Sequence, residues 1–234
     1  TRIYDQSKVI SYYDDVAATF TNFAMSGIDK LHFGLEAAVS IPLYRSLALN
    51  GAVSWGQYTY DSNPYYLQTQ DNSGDIVSDG YVYWKDFRVE STPQTAVNVG
   101  LSWRSNNNIY LSADFNYYNN MYLSMSPIYR TDAVITGGMA PGDIEHLRRQ
   151  EKFDSAYTLN ASIGKNWYIH RKYTLGFSLD VKNILNNQDI KTGGYEQTRL
   201  SKNTETTVTT YQAFDSKYFY MFGTTYYLNL YFRF

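Results

Sequence analysis

The sequence ends, from Tyr218 to Phe234, with YFYMFGTTYYLNLYFRF. From Phe222 onward the even positions are mostly large and apolar, whereas the odd positions are small, polar or amphipathic. Side chains alternate between the two faces of a strand, so this period of two places hydrocarbon on one face and polar groups on the other. The segment exceeds the usual length of about five or six residues and suffices for the roughly 9–11 residues with which a tilted strand crosses a bilayer. We therefore predict the closing strand of a transmembrane antiparallel β-barrel, with its apolar face toward lipid.

The same alternation recurs through the rest of the chain. It predicts strands over Leu31–Ile41, Leu47–Gly56, Gln94–Arg104, Ile109–Tyr118, Tyr157–Trp167 and Tyr173–Lys182. Short turns at Pro42–Ser46, Ser105–Asn108 and His170–Lys172 alternate with long irregular connections over Asp61–Thr92, Tyr122–Asp154 and Asn187–Lys217. We expect Thr1–Val9 to be the tail of a further strand and Tyr12–Asp29 to hold another loop that merges into the next strand. Alternating tight turns and large loops are typical of outer-membrane barrels, and this count predicts roughly eight strands in all.

Composition excludes several other classes of protein. Aromatic residues make up 18% of the chain, which suits the aromatic girdles of a barrel at the two membrane interfaces. No run approaches the roughly 18 consecutive apolar residues of a transmembrane helix, so a helical membrane protein is excluded. The absence of cysteine removes thiolate metal sites and catalytic thiols. A net charge of −2 argues against nucleic acid as a partner.

The predicted inward faces decide between a narrow barrel and part of a wide one. A barrel of about eight strands must fill its interior with side chains, yet the inward positions here are mainly Gly, Ser, Thr, Ala and Asn. Such small residues would leave a narrow lumen poorly packed, whereas they suit a wide barrel that holds water or a separate plug. The chain begins TRIYDQSKV, without an initiator Met or a signal-peptide core, so we expect it to start within a strand of a longer protein.

Several strings resemble a known family. Ser178–Ile190, SLDVKNILNNQDI, resembles the strand end of TonB-dependent outer-membrane receptors, and YYLNLYFRF resembles their aromatic-terminated last strand. Met25–Glu36, Trp55–Pro64 and Ser91–Leu101 are similar to the Oar-like members of Bacteroidota, which carry a carboxypeptidase-regulatory-like domain ahead of the plug. The resemblance implies that residues 1–234 are the C-terminal part of a barrel of about 22 strands, with the plug and N-terminal domains absent from this chain.

The same resemblance implies a receptor that imports a nutrient across the outer membrane. Its partners would be outer-membrane lipid and, through the missing N-terminal part, the inner-membrane TonB energy-coupling protein, with a surface lipoprotein or other outer-membrane subunits as further candidates. It also implies an assembly signal for barrel insertion, formed by Tyr226, Leu228, Leu230, Phe232 and Phe234. The alternatives are a structural subunit of an outer-membrane assembly and a small stand-alone eight-stranded barrel without transport.

Aromatic residues of the long loops are the candidates for ligand binding. Loops on a rigid frame commonly carry binding residues, and aromatic rings can stack on a ligand. These candidates are Tyr65, Tyr66, Tyr81, Trp84, Tyr195 and Tyr211. Tyr44, Trp103 and Trp167 instead flank short turns, and we expect them at the membrane interface, where amphipathic rings prefer to lie.

The sequence favours neither an enzyme nor a metal or cofactor site. His32, His146 and His170 lack the spacing of metal ligands. The acidic stretch Asp71–Asp79 lacks the full spacing of a Ca²⁺ loop, so a solvated loop is favoured there. Asp143, Glu145 and His146 together suggest water activation, as in an outer-membrane protease. Because P-loop, dinucleotide, nucleophile-elbow and zinc motifs are absent, enzyme function is the weaker hypothesis.

Overall fold

The computed structural model describes residues 1–14, 18–90, 92–136, 144–145, 148–170, 172–203 and 210–234, with side chains described except at 200–203 and 210–212. Its regular structure is mostly antiparallel strand, which confirms the all-β fold class. The strands are β1 (Arg2–Asp14), β2 (Thr19–Tyr44), β3 (Leu47–Tyr60), β4 (Tyr65–Gln70), β5 (Ile76–Tyr81), β6 (Thr95–Arg104), β7 (Ile109–Asn119), β8 (Ala156–Ile169), β9 (Tyr173–Lys182), β10 (Lys191–Tyr195), β11 (Leu200–Asn203), β12 (Thr210–Ala213), β13 (Lys217–Tyr220) and β14 (Thr225–Arg233). A 3₁₀ turn at Ile128–Arg130 and the short helix α1 (Asp132–Thr136) lie between β7 and β8. Among the described residues, no helix has the length and apolar character needed to cross a membrane.

Eight strands form one continuous antiparallel wall in the order β14-β9-β8-β7-β6-β3-β2-β1. The wall agrees with the roughly eight strands predicted, but β4 and β5 extend the same sheet to ten strands, and the described chain has fourteen strands in all. Strand β2 continues through Pro42 to Tyr44, so the first turn is shorter than predicted. The three long connections, here named L1 (Asp61–Thr92), L2 (Tyr122–Asp154) and L3 (Asn187–Lys217), all leave from the end opposite the short turns. Within the described part of the chain, β1 pairs with β2 and β14 with β9, so both outer edges of the wall are open.

Register places the predicted outward residues of neighbouring strands on one face of the wall. One complete row across seven strands consists of Ile41, Leu49, Leu101, Ala113, Ala161, Val181 and Tyr226. Large apolar side chains of this outward face are exposed, from Leu35 at 74% on one side of the wall to Leu230 at 71% on the other. The opposite, inward face carries small and polar residues that pair with one another. There Asn98 donates to Asn116 at 2.9 Å, and the hydroxyls of Ser112 and Ser162 are 2.8 Å apart.

The connection predicted within Tyr12–Asp29 is much shorter than expected, because β1 runs through Asp14 and β2 already begins at Thr19. A β-bulge hid this strand from the alternation. Between Met25 and Ile28, β2 contains one residue more than the paired segment of β1, and Gly27 adopts φ +74°. This left-handed conformation favours glycine, and the extra residue keeps Met25 and Ile28 on the same, buried side of the strand.

The prediction of one strand over Tyr218–Phe234 is also wrong. Strand β13 pairs with β10 of L3, and β14 begins only at Thr225. Two asparagines that follow β9 hold the break between these strands. Asn183 Nδ2 donates to the carbonyl of Phe222 at 3.0 Å, and the backbone N–H of Thr224 donates to Asn186 Oδ1 at 3.0 Å. The Asn183–Asn186 segment therefore fixes the start of β14.

The long connections, expected to be irregular, contain strands and pack into a cap on one end of the wall. We define the cap as L1–L3 together with β13, residues 8–14 of β1 and residues 19–28 of β2. The hairpin β4–β5 pairs with β2, while β10–β13 and β11–β12 form two small sheets. One apolar core includes Phe23, Met25, Tyr66, Trp84 and Tyr129. A second core consists of Met121, Leu123, Phe153, Ala156 and Ile190.

Aromatic rings of the inward face pack over glycines of the neighbouring strand. Tyr110 pairs in register with Gly164, where an added Cβ would overlap the Tyr110 ring and lie 2.7 Å from the carbonyl oxygen of Phe177. We expect Gly164→Ala to lower the free energy of unfolding by about 1–3 kcal/mol, the usual cost of overpacking. Urea denaturation of the folded protein measures this change.

Gly51→Ala is the matched control for this prediction. A Cβ at Gly51 meets only Val39 Cγ1 at the ordinary distance of 3.5 Å, so we expect a change within about 0.5 kcal/mol. Equal losses in the two variants would contradict the packing of Tyr110 on Gly164.

Candidate ligand-binding site in the cap

A buried ion pair joins two of the three long loops. Arg130 of L2 is fully buried, and its guanidinium donates to both carboxylate oxygens of Glu196 in L3, at 2.5 and 2.9 Å. The backbone N–H of Ser126 donates to the same carboxylate at 2.8 Å. The guanidinium also lies 5.5 Å from the ring centre of Phe87 in L1. Because a two-bond arginine–carboxylate contact fixes orientation as well as distance, this pair sets L3 against L2.

Further hydrogen bonds join L1 to L2. The side chain of Gln150 donates to the carbonyl of Arg88 at 2.7 Å and accepts from its backbone N–H at 2.9 Å. Asp132 accepts from the backbone N–H of Tyr81 at 2.9 Å and from the Tyr83 hydroxyl at 2.5 Å. The cap is therefore held by contacts among all three loops.

Glu151 is the second charged contact between L2 and L3. It accepts from the Lys191 ammonium at 3.1 Å and from the Tyr218 hydroxyl at 2.7 Å. Partial burial opposes the charge of Lys191, but the hydrogen bond and negative charge of Glu151 outweigh it, so the pKa of Lys191 is raised. Burial, helped by the hydrogen bond to Glu151, also raises the pKa of Tyr218. Both groups therefore keep their protons at neutral pH.

A cavity of about 440 Å³ opens between L2 and L3 beside these groups. Its walls include Tyr129, Arg149, Glu151, Phe214, Asp215 and Tyr218. Burial raises the pKa of Tyr129 to about 12, and its hydroxyl donates to the carbonyl of Arg199 at 2.8 Å. Aromatic surfaces next to carboxylates and a cation can stack on a ligand and hydrogen-bond to its hydroxyl or amide groups. This cavity is therefore a candidate for ligand binding in the cap.

The structure separates the six aromatic residues predicted to contact a ligand, and it places none of the five with described side chains in this cavity. Tyr66 and Trp84 are each only 1% exposed, because Tyr66 stacks on Phe23 at 4.6 Å and Trp84 packs on Tyr60 at 4.7 Å. Both rings are thus covered and stabilise the cap core.

The other predicted ligand contacts lie on or near the outside of the cap. Tyr65 and Tyr81 pack edge to face at 5.5 Å on its outward surface. Tyr195 is 45% exposed and lies 6.0 Å from the ring of Phe219. Tyr211 lies in β12, and its side chain is outside the described part of the structure.

The predicted interface and assembly residues lie on the outward face of the wall. Tyr44, Trp103 and Trp167 are at its short-turn end and are between 38% and 66% exposed. Tyr226, Leu228, Leu230 and Phe232 point outward from β14, and Phe234 follows them, with exposures between 56% and 94%. Their role as an assembly signal stays a prediction.

Neither the acidic stretch nor the histidines form a metal site among the described residues, which contain no group of three or more potential ligands. Asp79 accepts from the Tyr65 hydroxyl, whereas Asp71 and Asp75 lie at the tip of the β4–β5 hairpin. His32 faces inward beside Tyr58 at 4.9 Å, and His170 lies in a short turn.

The residues that suggested a protease are only partly within the described structure. Asp143 and His146 lie outside it, while Glu145 pairs with Arg149 at 3.9 Å. The protease hypothesis therefore gains no geometric support.

No protein-family model matches the chain, and no curated protein or solved structure is significantly similar to it. The geometry of the wall and cap and the likeness of short sequence strings to TonB-dependent receptors therefore carry the evidence on function.

Proposed function

We propose that this chain forms wall and cap of a transmembrane β-barrel in a bacterial outer membrane, as the C-terminal part of a TonB-dependent receptor that imports a nutrient. The exposed apolar face of the wall carries this proposal. Monomeric soluble proteins rarely expose apolar patches larger than a few hundred Å², whereas here outward residues across the whole wall are exposed. Lipid is the solvent that suits such a face.

The dimensions and edges of the apolar face support a position in a bilayer. On β3 the face runs from Leu47 to Trp55, which matches the roughly 9–11 residues of a membrane-spanning strand. Aromatic residues lie at both ends, with Trp103 near the short turns and Trp55 packed edge to face on Phe33 near the cap. Lys165 pairs with Phe177 on the outward face, and its ammonium lies 5.1 Å from the ring centre of Trp167. The charge of Lys165 can therefore reach the membrane–water interface.

The inward face and the cap support a receptor role. Small polar residues such as Asn98 and Ser112 suit a wide lumen that contains water or a plug, because they would leave a narrow barrel underfilled. The cap places the 440 Å³ cavity at the loop end, where a ligand from outside the cell would arrive. Transport itself is proposed from the family resemblance.

The membrane orientation predicts which positions react with an impermeant thiol reagent on whole cells. Asp75→Cys, at the exposed tip of the β4–β5 hairpin, should be labelled, because the cap faces the exterior. Asn107→Cys, in the β6–β7 turn, should be labelled only after the outer membrane is opened. The chain has no native cysteine to interfere. Labelling of intact cells at residue 107 but not at residue 75 would overturn this orientation.

Growth on candidate nutrients tests transport. A strain without this gene and a strain without the energy-coupling protein should share a growth defect on the imported nutrient. A panel of peptides, glycans and metal chelates would identify that nutrient. If every uptake is normal and a co-purifying complex is lost instead, the structural-subunit alternative is favoured over transport.

A further inference from the structure

A second apolar surface lies on the outward side of the cap. There β1, β2, β4 and β5 form a four-stranded sheet whose inward side packs on the core that contains Phe23 and Tyr66. The outward side carries six apolar or aromatic residues that are between 36% and 64% exposed. We name this surface the outward patch, and it consists of Val9, Phe20, Tyr65, Leu67, Ile76 and Tyr81.

Register places five of the six residues in adjacent rows, with Asp79 beside Leu67, while Phe20 lies beyond the polar row of Ser11, Asn22 and Thr69. Val9 pairs with Ala24, and Ala24 pairs with Leu67 on the next strand. Tyr65 pairs with Tyr81 directly. Phe20 packs edge to face on Tyr13 at 5.4 Å at the end of the same sheet. The patch therefore spans all four strands.

Polar residues separate the outward patch from the apolar outward face of the wall. Asp29 and Asp61 lie between the two apolar surfaces, where Arg2 pairs with Asp61 at 3.8 Å. Gln57 and Thr59 follow Trp55 on the same side of β3. A lipid-facing strand would not interrupt its apolar face in this way, so the patch lies beyond the bilayer in the orientation proposed above.

The charge around the outward patch is mainly negative, with Arg2 at its border paired to Asp61. No Lys or Arg occurs between Val9 and Asp29 or between Ser62 and Trp84, whereas Asp14, Asp71, Asp75 and Asp79 lie within these segments. Lys8, the nearest preceding cation in the sequence, lies 5.9 Å from the Trp84 ring on the inward side. Anionic lipid headgroups and a second copy of this surface would both bring like charges together, which opposes binding.

We propose that the outward patch is the docking surface for a different protein, which presents an apolar centre surrounded by Lys and Arg side chains. Aromatic residues are enriched at protein interfaces, and Phe20, Tyr65 and Tyr81 make up half of the patch. The negative rim selects a basic partner and steers its approach. This proposal uses the membrane orientation proposed above but not transport, so it stands if uptake fails.

Site-specific photo-crosslinking on intact cells tests the proposal. A photoreactive residue at Ile76 in the full-length protein should form an adduct with another protein. Phe20→Lys should lower the adduct yield about tenfold, since it places a cation against the partner's basic rim. Asp75→Lys should also lower the adduct yield. Phe219→Lys is the matched control, because Phe219 is 57% exposed on a cap strand outside the patch and Phe20 is 58% exposed within it.

Several results would overturn the proposal: no adduct, an adduct with lipid only, an adduct between two copies of this chain, or a protein adduct whose yield Phe20→Lys leaves unchanged. The amount of each variant at the cell surface, and the change in its gel mobility on heating, establish that it has assembled. If Phe20→Lys does not assemble, Leu67→Ser replaces it and should also lower the yield. Labelling of Asp75→Cys without any partner adduct would retain the orientation and refute only the docking surface.

Discussion

Val99→Lys should lower the free energy of unfolding in a lipid bilayer by about 2–4 kcal/mol, the cost of a lysine near the bilayer midplane on the lipid face of a barrel. Val99 is 46% exposed and lies in the middle of the apolar band, in a row with Val39, Gly51 and Phe115. The ammonium of the introduced lysine would have to extend past this row to reach the membrane–water interface. Urea titration of the protein in vesicles measures the change.

Ala52→Lys is the matched control for the substitution on the outward face. Ala52 lies one row away in the wall but on the inward face, paired with Ala38 and Asn98. A lysine there would meet small polar side chains and water, so we expect a change within about 0.5 kcal/mol. A loss for Ala52→Lys as large as that for Val99→Lys would contradict the assignment of the two faces.

The sequence predicted the wall well because one physical rule governs it. Where one face of a strand meets an apolar medium and the other a polar one, a slip of one residue exposes every side chain to the wrong side. The alternation therefore located β3, β6, β7, β8 and β9 to within a few residues. It failed at Gly27, where a bulge shifts the period, and at Gly223, where hydrogen bonds from the Asn183 region interrupt an apolar run.

The cap was not predictable in the same way. Its contacts join residues far apart in sequence, such as Arg130 with Glu196 and Gln150 with Arg88, and no local period marks them. Aromatic content alone suggested Tyr66 and Trp84 as ligand contacts, yet both are core residues. Tyr129 and Phe214, which line the cavity, carry no signal that distinguishes them from other loop aromatics.

Arg130→Met should destabilise the cap by about 3–5 kcal/mol while leaving the wall intact, because removal of one partner leaves a buried charge without compensation. Glu196 would lose both guanidinium hydrogen bonds, and its side chain is only 14% exposed. Hydrogen exchange should therefore accelerate around Ser126 and Glu196, whereas the amides paired between β6 and β7 should keep their protection.

Two further variants distinguish loss of the buried pair from a general effect of removing an arginine. Arg149→Met breaks only the pair with Glu145, where both side chains are 79% exposed, so we expect a loss below about 1 kcal/mol. The double variant Arg130→Met with Glu196→Leu should recover part of the single-variant loss, because no unpaired carboxylate remains. Recovery is also expected because Arg130 Nε has no hydrogen-bond partner among the described residues, so the native pair is incompletely satisfied. If the double variant exchanges as fast as Arg130→Met alone, loss of packing rather than an unpaired charge is what loosens the cap.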